Sequence, residues 1–182
     1  MKKYNIIYAD PPWSFKVWKE GMNSNTRSAS VHYSVMSFPD LLKIPMNSIA
    51  SDDCALFMWA INPMLHKALE LLNVWGFTYK TVAFTWVKRN KISPSWFWGL
   101  GYWTRANSEL CLLATKGNPK RVSKSVHSLV ETKIEGHSKK PSEVRTRIVQ
   151  LCGDLPRIEL FAREKTDGWD AWGNEIESDI EL

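Results

Sequence analysis

One short segment near the N-terminus constrains the fold most strongly, because an apolar run there ends at two consecutive prolines. Residues 5–9 (NIIYA) form the run, which is typical of a strand that other elements cover on both faces. Asp10, Pro11 and Pro12 follow directly. Each proline holds the residue before it in an extended conformation, which argues against a helix that starts at Asp10. The segment therefore predicts a buried strand whose carboxyl end presents a carboxylate on a rigid backbone.

Length and composition favour a single domain, residues 1–182, with a sizeable core. Hydrophobic residues make up 44% of the chain and charged residues 24%, as in ordinary globular proteins. The sequence has no apolar run long enough to span a membrane and no signal-peptide pattern, so we expect a cytoplasmic protein without membrane partners. Cys54, Cys111 and Cys152 lie in apolar segments, which favours buried thiols. The four histidines lack the spacing of metal ligands, so no metal site is expected.

Strand patterns and helix patterns alternate along the chain. Further strands are expected at residues 55–61, 79–88, 108–117 and 157–164, with a short one within residues 126–135. Ser37 is expected to cap a short helix. A second helix begins at Asn62 and Pro63 and ends at Gly76, and a third runs from Pro141 to Gly153. This order predicts an α/β fold with a mostly parallel sheet and helices on both faces.

The carboxyl end of the first strand is a candidate site, because ligands of open α/β sheets bind beyond such ends. The Asp10 carboxylate and the Pro11 carbonyl would be adjacent acceptors, and Trp13 would add a flat face. Such a set suits a planar group with an –NH2, for example adenine. Accepting both N–H groups would localise the nitrogen lone pair, and an ionised Asp10 would stabilise the charge that develops on attack. The alternative is that Asp10 is only a turn or capping residue.

Basic and aromatic residues indicate a polyanionic partner. The net charge is +5, and the basic residues cluster in residues 88–91, 116–124 and 139–147. Four tryptophans, Trp86, Trp96, Trp98 and Trp103, lie beside the first cluster, and this combination suits nucleic-acid binding. Solvated loops and core tryptophans are the alternative interpretation. The acidic residues beyond Glu177 are expected to form a solvated tail.

The ordered segments DPPW, HSKKPSEV and IELFAREKTDGWDAWGNE resemble the m6A-writer family. These adenine N6-methyltransferases are typified by the catalytic subunit of the mRNA adenosine methyltransferase, and they have bacterial and phage members. The resemblance covers nearly the whole chain. It implies a Rossmann-like fold, a three-layer αβα sandwich that uses S-adenosyl-L-methionine (SAM). The motif order is permuted, since the catalytic motif precedes the cofactor motif.

The resemblance also implies roles for individual residues. The catalytic motif would be Asp10, Pro11, Pro12 and Trp13. Lys140 would bind the methionyl carboxylate of SAM, Arg163 would lie near the ribose, and Asn174 and Glu175 would hold the ribose hydroxyls and the adenosine end. Asp10 would also border the cofactor. Many relatives have glutamine where this chain has Glu175, and either side chain can accept from a hydroxyl. The expected substrate-binding residues are Trp13, Tyr33, Lys88, Arg89 and Lys91.

The sequence thus favours SAM-dependent methylation of adenine N6 in DNA by a bacterial or phage enzyme. The same reaction on RNA is one alternative, and a catalytically silent nucleic-acid-binding subunit is another. Because no separate target-recognition domain is expected, recognition would fall to the loops at residues 14–34 and 88–104, to the basic runs, or to a second subunit. The first of these, bracketed by Trp18 and Tyr33, is expected to close over the substrate. A homodimer is expected from the family resemblance.

Overall fold

The computed structural model describes residues 2–13, 36–99, 101, 103–136 and 139–182, and its centre is a mixed sheet. The seven strands among these residues are β1 (Tyr4–Ala9), β2 (Ala50–Ala60), β3 (Thr78–Arg89), β4 (Ser108–Lys116), β5 (Leu129–Lys133), β6 (Arg157–Leu160) and β7 (Asp170–Trp172). Their order across the sheet is β5-β3-β4-β2-β1-β6-β7. The strand β4 runs antiparallel to both neighbours, and the other pairings in this sheet are parallel.

Helices cover both faces of the sheet. The helices in the described residues are α1 (Phe38–Leu42), α2 (Met46–Ile49), α3 (Leu65–Val74) and α4 (Ser142–Cys152). Alternate residues of β1 point to opposite faces, so Ile7 packs in one core with α3 and Ile6 packs in another with α4. The predicted α/β sandwich of three layers is therefore confirmed, and it is consistent with a Rossmann-like methyltransferase fold. No helix of the described segments combines the length and apolarity that a membrane crossing requires.

Three local predictions differ from the structure. Asn62 does not cap a helix, because residues Asn62–Met64 form a 3-10 turn and α3 begins at Leu65. The last predicted strand, residues 157–164, ends at Leu160, since Phe161 adopts a positive φ of 62° that turns the chain. The strand β7 was not predicted, because three residues are too few to show a strand period.

The parallel strands bring their carboxyl ends to one edge of the sheet, where the antiparallel β4 begins. Asp10 and Phe161 follow β1 and β6 there, and α4 starts close by with Lys140 just before it. The basic run 116–124 follows the other end of β4. Its Val122 N–H donates to the Leu151 carbonyl, 2.8 Å away near the far end of α4. Only the runs 88–91 and 139–147 therefore adjoin the edge that carries Asp10.

The C-terminal segment is attached to the sheet, so the expectation of a tail beyond Glu177 is wrong, although the carboxylates Asp179 and Glu181 are exposed. The backbone N–H of Asp179 donates to the Ala171 carbonyl at 2.8 Å, and its side chain accepts from the Ala171 N–H at 2.9 Å. Lys165 adds an ion pair to Asp179 at 2.6 Å. Ile180 and Leu182 pack against the core. Sequence pattern missed this anchor because acidic residues near a terminus are usually solvated.

The three thiols are buried, as predicted, and we expect them to react slowly with a disulfide reagent in the folded protein. Burial raises the pKa of Cys54 to about 12, that of Cys152 to about 11, and that of Cys111 well above its ordinary value. Since thiolates are the reactive form, titration at pH 8 should be slower than in urea by roughly 10³-fold or more. Rapid labelling of one thiol without denaturant would contradict this packing.

Candidate active site

Four charged side chains meet at the carboxyl edge of the sheet. They come from the residue after β1, from β3, from β4 and from the residue that precedes Pro141 at the start of α4. The Lys140 ammonium lies 2.7 Å from Asp10 Oδ2 and 3.3 Å from Glu109 Oε2. Lys88 donates to the other Glu109 oxygen, Oε1. The four groups, Asp10, Lys140, Glu109 and Lys88, thus alternate in charge, and we call them the ion-pair quartet. It connects β1, α4, β4 and β3 through side chains alone.

The quartet is largely removed from water. The side chain of Lys140 is 9% exposed and that of Asp10 21%. Burial alone would lower the pKa of Lys140, but Asp10 and Glu109 outweigh it and keep the pKa above its ordinary value. Burial would likewise raise the pKa of Glu109, but Lys140 and Lys88 hold it below the usual range. Lys140 and Glu109 are therefore best stabilised when charged, because each faces opposite charges.

Local sequence fixes the position of Lys140. It precedes Pro141, the N-cap residue of α4, so its backbone is restricted to an extended conformation. Its ammonium lies 5.6 Å from the centre of the Trp59 ring, whose negative face attracts a cation. The Trp59 indole N–H donates to the Tyr8 hydroxyl at 2.6 Å, which holds the ring below the quartet. Two buried aromatics from β1 and β2 thus form the floor of the site.

The motif from Asp10 to Trp13 is held tightly, and two details differ from the sequence-based picture. The Pro11 carbonyl, predicted as an acceptor for a ligand, already accepts from the Trp13 N–H at 2.8 Å, which leaves its second lone pair for that role. Trp13 is 6% exposed and donates its indole N–H to the Trp59 carbonyl at 3.1 Å. Its contacts in the described residues anchor the motif to the core, and a stacking role stays a prediction.

A cavity of about 100 Å³ opens beside the quartet. Arg145 and Glu159 on its wall form a bidentate pair with N–O distances of 2.6 and 2.8 Å. Burial raises the pKa of Glu159 in spite of that arginine. Phe161, with its positive φ, also lines the cavity and packs edge-on against Trp172, with ring centres 5.4 Å apart. The lining residues are Asp10, Lys139, Lys140, Arg145, Glu159, Phe161, Arg163 and Glu164.

Three of the five predicted cofactor residues line this cavity, namely Asp10, Lys140 and Arg163. Asn174 and Glu175 are exposed and lie on the turn after β7. That turn is held against the end of β6, since a Cβ on Gly173 would lie 2.1 Å from the Ala162 carbonyl oxygen. The Ser178 hydroxyl accepts from the Gly173 N–H at 3.1 Å and supports the turn from the other side. The turn is therefore the neighbour of the segment that carries Phe161 and Arg163.

The predicted substrate residues are placed differently from one another. Lys88 belongs to the quartet, with a side chain 13% exposed, so its charge is directed into the site. Arg89 bonds Glu131 at 2.7 Å and stacks on Trp96. Lys91 is exposed on the hairpin that follows β3, and Tyr33 lies outside the described residues, as does the expected lid. Within the described residues, no group of three His, Cys, Asp or Glu is arranged to hold a metal ion.

Sequence reasoning missed Glu109, Arg145, Glu159 and Phe161. A signal existed for two of them, since Glu109 and Glu159 are acidic residues inside otherwise apolar strands. Buried carboxylates require a cationic partner, and such a position indicates either a structural pair or a site. The partners of Glu109 are Lys140 and Lys88, and the partner of Glu159 is Arg145. Each partner is distant in sequence or lies on another element. No local pattern identifies them.

We expect Glu109→Gln to destabilise the protein by about 3–5 kcal/mol, because Lys88 would be left as a buried cation without its carboxylate. Urea denaturation at neutral pH measures this. The lowered pKa of Glu109 means that its contribution is present at neutral pH and lost as the pH falls through that pKa, so the difference between the proteins should shrink in acid. Glu131→Gln is the matched control. It breaks an exposed ion pair with Arg89 and should change stability by no more than about 1 kcal/mol.

Comparisons with known proteins identify the family to which the chain belongs. The MT-A70 family matches residues 4–175. Type II methyltransferase M.MunI from a Mycoplasma species is 37% identical over 190 residues, covering 96% of this chain and 78% of its own length. The human N(6)-adenosine-methyltransferase catalytic subunit METTL3 is 26% identical over 181 residues, and human N(6)-adenine-specific methyltransferase METTL4 is 28% identical over 192. The chain spans only 28% of METTL3 and 38% of METTL4.

The family match extends from β1, which presents Asp10, to the turn that carries Asn174 and Glu175. It therefore includes the quartet, the cavity and both ends of the candidate cofactor site. The matched segment also contains all seven described strands and the edge of the sheet at which the charged residues meet. This chain belongs to the MT-A70 family of SAM-dependent methyltransferases.

Proposed function

We propose that this chain, a single domain over residues 1–182, transfers a methyl group from SAM to the exocyclic N6 amine of adenine in DNA. The observation that carries the proposal is the Asp10–Lys140 ion pair of 2.7 Å, which joins the rigid end of β1 to the cavity wall. The 37% identity to a type II methyltransferase favours DNA. The identity to an N(6)-adenosine-methyltransferase keeps RNA as the alternative substrate.

The groups around the cavity fit the amino-acid end of SAM, which carries a carboxylate and an ammonium. Lys140 supplies a cation for the carboxylate, and Asp10 is an anion close enough to border the ammonium. Arg163 and the turn with Asn174 and Glu175 are proposed for the ribose and adenosine end. When bound, SAM supplies a methyl group on a positively charged sulfur, and loss of that methyl leaves a neutral thioether.

The chain's own part in the reaction is to orient the amine and stabilise charge. Lys140 occupies Asp10 Oδ2, and a carboxylate accepts at both oxygens, so Oδ1 can accept one N–H of the amine. The second lone pair of the Pro11 carbonyl can accept the other. Two acceptors draw the nitrogen towards tetrahedral geometry and localise its lone pair. As positive charge develops there, the ionised Asp10 stabilises it in a site with little water, and the methylated nitrogen then loses one N–H proton to solvent.

Glu109 offers a further acceptor in the same place. Its buried Oε2 makes no well-directed hydrogen bond within the described residues, although the Lys140 ammonium lies 3.3 Å away. Such an oxygen is stabilised by any N–H donor that enters the site.

The intact motif and these paired charges favour an active enzyme over a silent nucleic-acid-binding subunit. We further propose a cytoplasmic location, in a bacterium or a phage-infected host, and a homodimer that sedimentation velocity can test.

Asp10→Ala should abolish methyl transfer and weaken SAM binding far less, because Lys140 keeps Glu109 as a partner and stays available to the SAM carboxylate. The assay offers methyl-labelled SAM with duplex DNA, single-stranded DNA and single-stranded RNA in parallel, and the products are digested to nucleosides. Label in N6-methyladenine from one pool identifies the reaction and its substrate together. Asp52→Ala, which removes an exposed carboxylate at the opposite edge, should retain activity. Equal losses of transfer and SAM binding in Asp10→Ala would refute the role given to Asp10.

Lys140→Ala should weaken SAM binding by about 10-fold or more, since a charge-assisted contact to the carboxylate contributes about 1.5–3 kcal/mol. Titration calorimetry measures the affinity directly. Lys120→Ala is the control, because Lys120 is an exposed lysine of the basic run at the opposite edge of the sheet and does not line the cavity. An unchanged SAM affinity in Lys140→Ala would show that the carboxylate contact is assigned to the wrong residue.

A further inference from the structure

We propose that the hairpin between β3 and β4 is a stacking surface for unpaired nucleotides beside the target base. This inference rests on the proposed function and names the part of the nucleic acid that the hairpin contacts. The surface, which we call the tryptophan platform, consists of Trp96, Trp98 and Trp103 together with Arg89 and Arg105. Four observations support it: the position, exposure, stacking geometry and charge of these residues.

The hairpin emerges directly from the site. Its two stems are β3 and β4, and near their hairpin ends Lys88 of β3 bonds Glu109 of β4 within the quartet. The Lys88 carbonyl also accepts from the Phe97 N–H at 3.0 Å, and its N–H donates to the Asn107 carbonyl at 2.8 Å. Lys88 therefore belongs to the quartet through its side chain and holds the base of the hairpin through its backbone. A nucleotide flanking one held at Asp10 would be within reach of this hairpin.

The platform tryptophans are far more exposed than the other tryptophans of the described residues. Trp98 is 67% exposed and Trp103 92%, and Trp96 is 49% exposed. By contrast, Trp59 and Trp86, from the strands below, are 1% and 2% exposed. Three large aromatics exposed on one hairpin are unfavourable in water and indicate a surface that binds a partner. Its flat rings suit partners that are themselves flat.

Two of the tryptophans already carry a stacked guanidinium. The Arg89 Cζ lies 3.3 Å from the centre of the Trp96 ring, and the Arg105 Cζ lies 4.5 Å from that of Trp98. Each pair combines a π surface with a planar cation. Nucleic acid offers both complements, since bases stack on aromatic and guanidinium planes and phosphates attract the charge. An apolar protein partner would use the rings and leave the cations without a counterpart.

The charge of the hairpin points to the same partner. Residues 88–107 contain four basic residues, Lys88, Arg89, Lys91 and Arg105, and no Asp or Glu. Glu109 and Glu131 pair with the first two, which leaves the outer part of the hairpin positive. An enzyme that modifies a base must take it out of the stack, so the adjacent bases lose a stacking partner. Tryptophans beside the site can replace that partner.

The test compares wild type with Trp98→Ala/Trp103→Ala by fluorescence anisotropy. The probe is a fluorescein-labelled single-stranded DNA of roughly 12 nucleotides, titrated at several salt concentrations. Loss of one stacked base should weaken binding by about 5- to 150-fold. The slope of log Kd against log salt should stay unchanged, because no phosphate contact is removed. Trp98→Phe/Trp103→Phe should restore much of the affinity, since phenylalanine retains a stacking ring.

A control variant and three readouts keep the outcomes distinct. Lys120→Ala/Arg121→Ala removes the same number of side chains from the basic run at the opposite edge and should leave binding near the wild-type level. Wild-type affinity in the alanine variant would overturn the platform, as would a wild-type protein that does not bind the probe. Weaker binding that accompanies conversion of a dimer to a monomer in sedimentation velocity would also overturn it, because the platform would then be a subunit interface. SAM affinity, measured by calorimetry, should be unaffected.

The platform and the proposed function can fail separately. A wild type that binds the probe through the tryptophans and methylates no nucleic acid would contradict the proposed function alone. Methylation of DNA or RNA that is equally efficient in wild type and in the alanine variant, with equal affinities, would contradict the platform alone.

Discussion

The Lys140 ammonium is the interaction on which the site depends, because it contacts two carboxylates that come from different strands. One of these, Asp10, ends β1 and is rigid through Pro11 and Pro12. The other, Glu109, begins β4 and is bonded in turn to Lys88 of β3. A single buried cation therefore links the residue proposed to handle the amine, the wall of the cofactor cavity and the base of the hairpin.

Burial makes this arrangement strongly interdependent. A charge in a poorly solvated site is stable only beside an opposite charge. Glu109 therefore raises the pKa of Lys140, and Lys140 lowers the pKa of Glu109, so that both stay ionised. Removing one member of the quartet breaks its contacts and also changes the electrostatic environment of the remaining charges. Effects of single substitutions in the quartet will therefore not add, and double-mutant cycles are needed to separate catalytic from structural contributions. The exposed pairs nearby, such as Arg89 with Glu131, lack this coupling since water screens them.

Local rules predicted those parts of the fold and site that depend on neighbouring residues. The strand before Asp10 follows from its apolar run, and the helix α4 follows from Pro141 and Gly153 at its ends. What failed depends on contacts between distant segments. Glu109 meets Lys140 only after β4 has paired antiparallel with β2 and β3, and no local pattern specifies that pairing. The burial of Trp13 and the positive φ of Phe161 are likewise set by the tertiary structure.

The same edge of the sheet must serve both chemistry and recognition if one domain is to perform both. The hairpin satisfies this requirement without an extra domain, because its stems are the strands that carry Lys88 and Glu109. A nucleic acid on the hairpin would act on the quartet through Lys88, whose backbone holds the hairpin base and whose side chain holds Glu109. Binding of the nucleic acid and the positions of the quartet charges would therefore be coupled through Lys88. Because the quartet is already formed in the structure, the hairpin would bind the nucleotides beside a site whose charges are in place.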